Sequence, residues 1–292
     1  MIRTSFSYLK RILTDKTFYI CAFLICALCF TATADYDAVQ NRYLSVLDLL
    51  IDTQRVYTTD ISFSAYVLSS LKGGSWLNMF LPLILPLCFA NALCDDRKSG
   101  FLRYEVIRTG HRRLKCSKFI SAVLSSGSCC LLGYCLYVLV MIIRFPHIAA
   151  YELADDLFYH LTDMQESIFA GVGIVGVYLV NMIDMLLYGF AMSLFSLIVI
   201  AYTENKYLIC CIPFMAVYCL TQLGLWLFGI AGQDPNNYNQ ILGNAGELIL
   251  PASANSIATS GNTALLCYYG VFMLLSFAVY VFFGKGGADK GA

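Results

Sequence analysis

Asp184 is the one charged residue in the apolar stretch Ile168–Tyr202, and an acid so placed can carry a proton or line a polar path. A charge near the middle of a membrane costs roughly 2.5–3.5 kcal/mol on insertion scales, so it has to face a bundle, a cavity or a partner. Asn181 and Tyr188, at −3 and +4, share its helical face and are placed to hydrogen-bond it. Two uses compete for this trio: a polar element of a translocation path or proton site, and an interhelical hydrogen bond that only fixes packing. The second concentration of polar groups is basic. Asp95–Phe119, DDRKSGFLRYEVIRTGHRRLKCSKF, holds eight Lys or Arg against three acids. That suits either contact with lipid headgroups or a docking surface for a cytoplasmic protein. A short helix is expected over Phe101–Ile107, between Gly100 and a Thr109–Gly110 turn.

Catalysis finds little support. An intramembrane aspartyl protease needs two facing acids, and the apolar stretches offer one. His111, His147 and His160 all fall between those stretches, and neither G-x-S-x-G nor H-E-x-x-H occurs. No C-x-x-C pair is joined by histidines, so a metal site is not expected. Eleven of the 13 cysteines lie inside apolar stretches, and Cys94 and Cys116 flank the basic segment. They are read as small packing residues. No G-x-x-x-x-G-K-[ST] loop is present, since the C-terminal FFGKGGADKGA has glycines and lysines without that spacing. The chain is expected to be no enzyme and to hold no cofactor.

These residues are carried by a chain that is 59% hydrophobic and 13% charged, where soluble domains average about 25% charged. Its charges cluster between six apolar stretches, the pattern of spans and loops. The stretches run about 18–34, 76–94, 119–143, 168–202, 207–231 and 263–283. The fold expected is an all-α integral membrane protein, with 1–292 forming a single transmembrane domain. The fourth stretch, 35 residues and ~52 Å of straight helix, must tilt, bend or project. A hairpin at Asn181 and Asp184 would leave too few residues to cross, so it is read as one span. With the N-terminus inside, 15 Lys and Arg fall on inner segments and four on outer ones, Arg42, Arg55, Lys72 and Arg144. That asymmetry places both termini in the cytoplasm of a multi-pass cell-membrane protein. Net charge is zero, which suggests no nucleic-acid partner. Arg3, Lys10, Arg11 and Lys16 precede the first apolar run, which is read as a retained span because no small-x-small cleavage site with a soluble domain follows.

Three outer segments follow, at 35–75, 144–167 and 232–262. In the second, Leu153, Leu157, Leu161 and Met164 recur at helical spacing, as in an amphipathic helix on a membrane face. At the start of the chain, Ile2, Phe6, Leu9 and Leu13 form one helical face with the basic residues largely elsewhere. Residues 1–16 are therefore expected to form an interfacial helix. Pro82 and Pro86 are expected to bend the second span. Gly171, Gly173 and Gly176 would leave the fourth a flat strip for another helix.

In order, these features resemble a permease subunit of a type-2 ABC exporter. They are an interfacial helix, a first span, a long outer segment, and a second span leading into a loop of the form D-x-x-x-G…R-x-G-x-x-R…K. The positions matching that loop are Asp96, Gly100, Arg108, Gly110, Arg113 and Lys118, with Arg112 beside them. The resemblance implies six spans with both ends inside and an N-terminal elbow helix. It also implies a cytoplasmic coupling helix between spans two and three that docks onto an ATPase. Its expected partners are cytoplasmic ABC ATPase subunits, which would bind the ATP and Mg, a second permease chain, identical or homologous, and membrane lipid. The translocation path would form in that dimer. The family's re-entrant helices before its last span carry no separate signature here and are expected within Tyr207–Leu250. Two other readings stay open: an ion-coupled secondary transporter centred on Asp184, and a non-transporting membrane scaffold or sensor. The first would call for repeated, broken helices in two corresponding halves, and no internal repeat is found.

Overall fold

The structure is a computed structural model that describes residues 2–37, 42–51, 75–98, 101–144, 167–168, 171–172, 174–203, 205–232 and 240–283. The described residues form an all-α bundle apart from one two-stranded hairpin. The expected outer helix around Leu153–Met164 lies outside the described residues, as do Gly100 and Gly173.

Helix α1 (Ile2–Leu13) turns through 64° into α2 (Lys16–Cys29). The turn is held by Asp15, whose carboxylate accepts from the Thr17 N–H and caps α2. α2 ends at Cys29, short of the expected Ala34, because a hairpin of β1 (Thr33–Asp37) and β2 (Arg42–Ser45) takes over. After β2, α3 (Val46–Ile51) closes back on that end: the Val46 and Leu47 amides donate to the carbonyls of Ala32 and Phe30. The Phe30 carbonyl, at the C-cap of α2, is thus satisfied by protein.

Then come α4 (Ser75–Lys98), α5 (Phe101–Thr109) and α6 (His111–Arg144). α6 starts eight residues before the expected Phe119. No glycine or proline interrupts His111–Lys118, and Leu114, Ser117 and Lys118 are buried, so packing extends the helix. α7 (Ile174–Tyr202) runs unbroken through Asn181 and Asp184, with helical residues at 167–168 and 171–172 before it. α8 (Lys206–Ala231) is capped by Asn205. α9 (Gln240–Ile249) and a 3₁₀ turn (Pro251–Ser256) precede α10 (Thr263–Ala278), which continues as a π-helical turn over Val279–Phe283.

Among the described residues, five helices are long and apolar enough to cross a membrane, and α1 with α2 reaches that standard only as a bent pair. The core runs between α2, α4, α6 and α7, around Ile25, Leu81, Phe89, Cys129, Tyr134 and Tyr188. One close crossing is between α6 and α7. A Cβ on Gly189 would stand 2.8 Å from Gly127 Cα, and one on Gly127 would stand 2.9 Å from the Leu186 carbonyl oxygen. The expected strip at Gly171 and Gly176 takes no part in this crossing. No described residue lies within 4 Å of a Cβ on Gly171, and the nearest atoms to one on Gly176 belong to Ile168 and Val172.

Candidate functional site

Two sites emerge at opposite ends of the bundle, each centred on a buried aspartate. The first lies where α4 hands the chain to α5. Asp96, in the last turn of α4, is 2% exposed. Its Oδ1 accepts from Arg11 Nη1 of α1 at 2.6 Å, and its Oδ2 accepts from Lys118 Nζ of α6 at 3.0 Å. Lys118 is itself buried, with its ammonium 4.9 Å from the centre of the Tyr8 ring. The Tyr8 hydroxyl donates to Glu105 Oε2 on α5. One carboxylate therefore joins α1, α4 and α6, and a neighbouring tyrosine adds α5. The Asp96 hydrogen bond raises the Arg11 pKa. Burial, reinforced by the Glu105 hydrogen bond, pushes the Tyr8 phenol well above its ordinary value.

Of the positions expected in the coupling loop, Asp96 and Lys118 enter this joint, while the others shape or flank α5. Gly110 adopts φ +80°, a left-handed conformation that closes α5, with its N–H donating to the Val106 carbonyl at 2.8 Å. The α5 helix agrees with the expected Phe101–Ile107, two residues longer. Arg108, Arg112 and Arg113 are exposed, and Ile107 is 84% exposed beside them. Arg112 lies over the Phe282 ring at 5.8 Å, and Lys115 Nζ reaches the Val281 carbonyl at 3.4 Å, so the end of the last span rests against the base of α6.

Arg11, Tyr8 and Glu105 were not among the expected site residues. A signal for α1 exists: Tyr8, Arg11 and Ile12 stand at i, i+3 and i+4, and Tyr8 and Ile12 are buried. α1 thus uses that stripe against the protein and leaves Phe6 of the apolar face exposed.

The second site is at the other end. Asp184 is fully buried, and its carboxylate accepts the backbone N–H of Ala258 at 2.5 Å and of Thr259 at 3.2 Å. It thereby fixes the turn between the 3₁₀ segment and α10. Tyr188 does not reach Asp184; its hydroxyl donates to Asn78 in the first turn of α4 at 2.6 Å. Asn181 is buried on the same helix. The Tyr188–Asn78 bond also sets the depth. Asp184 lies one turn farther from α5 than a residue already level with the start of α4, and about 27 Å along α7 from Tyr202. It therefore sits near the far end of the bundle, not mid-way. The remaining ~15 Å of α7 toward Ile174 projects past it, which accounts for the length of the fourth stretch. α9 reaches the same end by lying on α8. A Cβ on Gly224 would stand 3.2 Å from the Gly246 carbonyl oxygen and 2.5 Å from Leu250 Cδ1, so a side chain there would push Leu250 aside and crowd the α9 backbone.

No model of a known protein family matches the sequence, and no curated protein matches it.

Proposed function

We propose that this chain is the membrane-spanning permease subunit of an ATP-driven type-2 ABC exporter. It works as a dimer with an identical or homologous chain in the cell membrane, with both termini cytoplasmic. α1 serves as the elbow helix and α5 as the coupling helix, onto which a separate ABC ATPase docks. ATP and Mg belong to that partner.

The observation that carries this reading is the attachment of α5. A nine-residue helix outside the spans presents Ile107 and Arg108, next to Arg112 and Arg113, on its exposed side. On its other side it is joined to α1 through Tyr8 and Glu105, and α1 is joined to α4 and α6 through Asp96. A push delivered to α5 reaches α1 through Tyr8 and, by way of α1, α4 and α6. The helix Gln240–Ile249 and the 3₁₀ turn Pro251–Ser256 before the last span support this reading, since the resemblance implies re-entrant helices in that part of the chain, within Tyr207–Leu250. A secondary transporter centred on Asp184 draws no support from the geometry, since both carboxylate oxygens hold backbone amides of one turn.

The test is to solubilise the chain gently from its native membrane and identify the proteins that accompany it. A stoichiometric Walker-A ATPase with the wild type, lost when Arg108, Arg112 and Arg113 are changed to Glu, is the expected result. Its absence, under conditions that preserve a known transporter complex, would favour a scaffold or sensor and sink the proposal.

A further inference from the structure

Between α4 and α8, at the α5 end of the bundle, lies a cavity of about 800 Å³. Its lining is Leu83, Leu87 and Asn91 from α4, with Asn205, Lys206, Tyr207, Cys210 and Cys211 around the start of α8. The α4 residues recur every four positions and so form one stripe along the helix. The two helices run antiparallel, so the lining sorts by depth. Asn91, Asn205, Lys206 and Tyr207 gather at the end nearest α5. Leu83, Leu87, Cys210 and Cys211 lie farther along both helices. Beyond them Phe80 stacks on Phe214, with ring centres 6.2 Å apart, so aromatic rings bridge the two helices there.

We infer that this cavity binds one anionic phospholipid from the cytoplasmic leaflet. Its phosphate would meet Lys206 and the amides of Asn91 and Asn205, and an acyl chain would lie along Leu83, Leu87 and the two cysteines. The polarity gradient selects an amphiphile: a free anion would leave the apolar end empty, and a hydrocarbon would leave the polar end unsatisfied. Lys206 is the one charged residue among the described residues of the lining, and a cation there complements a negative headgroup. Asn205 Oδ1 already accepts from the Tyr207 N–H at 3.1 Å, so its NH₂ is the part left to donate to a ligand. The depth of the polar end matches the start of α8, where a span leaves the hydrocarbon for the headgroup layer. The inference requires only that the α5 end face the cytoplasm; it does not require an ATPase partner.

The test uses the full chain purified in a mild neutral detergent and native mass spectrometry of the lipid it retains. Phosphatidylglycerol, phosphatidylcholine and inorganic phosphate are offered in turn. One phosphatidylglycerol per chain should be held in preference to phosphatidylcholine. Lys206→Gln should weaken that retention about fivefold, the worth of one basic residue at a membrane surface. Leu87→Trp should abolish it by filling the apolar end, whereas Arg144→Gln, at the opposite end of α6, should leave it unchanged. Melting temperatures of both cavity variants report whether they fold, and either one alone decides the matter. Equal retention of the two lipids would overturn the inference, as would retention unaffected by both substitutions. Displacement of phosphatidylglycerol by inorganic phosphate alone would show that the chain-binding half is unused. Loss of dimer with lipid retention intact in Leu87→Trp would assign the cavity to a second copy of the chain.

Discussion

Asp96 and Asp184 are both buried, yet their charges are balanced in different ways. Asp96 is held by two cationic side chains from two other helices, Arg11 and Lys118. Asp184 is held by two neutral backbone amides of a single turn. A carboxylate bonded to amides locks one conformation, because both donors are fixed by the same few peptide units. A carboxylate shared between side chains on separate helices can keep its partners while those helices shift, since long side chains adjust. The first arrangement suits a fixed cap and the second a joint that transmits movement. The difference also separates the two aspartates by energy, since a buried cation left alone costs more than a buried amide left alone.

The sharpest way to break the contrast is Asp96→Leu, which strands the buried Lys118 without its counter-ion. A loss of about 3–5 kcal/mol is expected from unfolding in detergent. The double variant Asp96→Leu/Lys118→Met should recover most of it, because removing both charges removes the desolvation cost as well. Asp184→Ala comes next, with a loss of about 2–3 kcal/mol from two amides left without an acceptor. Asp184→Asn keeps one acceptor oxygen and should cost about half as much. If Asp184 instead carried protons, Asp184→Asn would abolish transport at unchanged melting temperature, which would overturn its assignment as a cap. The smallest effect is at Tyr8. Tyr8→Phe removes the donor to Glu105 and should cost about 1 kcal/mol. Because the Tyr8 pKa is raised above 10.0 in the folded chain, its contribution is whole below pH 10 and falls as pH rises beyond that. Tyr8→Phe should therefore flatten part of the alkaline limb of a stability–pH curve, and an unchanged slope would place the phenol outside the joint.

The helical, multi-span character of the chain was legible in its sequence because it rests on local pattern. Runs such as Trp76–Cys94 and Thr263–Phe283 announce themselves by hydropathy, and both recur in the structure as helices able to cross a membrane. The short helix after Gly100 was legible too, since Gly110 punctuates it. Depth was not. Asp184 stands mid-way along an apolar run but not mid-way through the bundle, and only the Tyr188–Asn78 contact shows where the neighbouring helix begins. Pairings across long separations were equally hidden. Arg11 and Asp96 are 85 positions apart, and nothing in their local surroundings marks them as partners. The glycines that matter for the α6–α7 packing, Gly127 and Gly189, occupy ordinary-looking positions, while no described residue lies within 4 Å of a Cβ on the more conspicuous Gly171.

The brevity of α2 has a consequence beyond the protein itself. Its 14 residues span about 21 Å, against a hydrocarbon layer of about 30 Å. It has little scope to stretch, because Asp15 caps one end and the amides of Val46 and Leu47 close the other. A span this short is matched in a bilayer by local thinning, by flanking side chains that reach out to the headgroups, or by association with another helix, each at a modest cost.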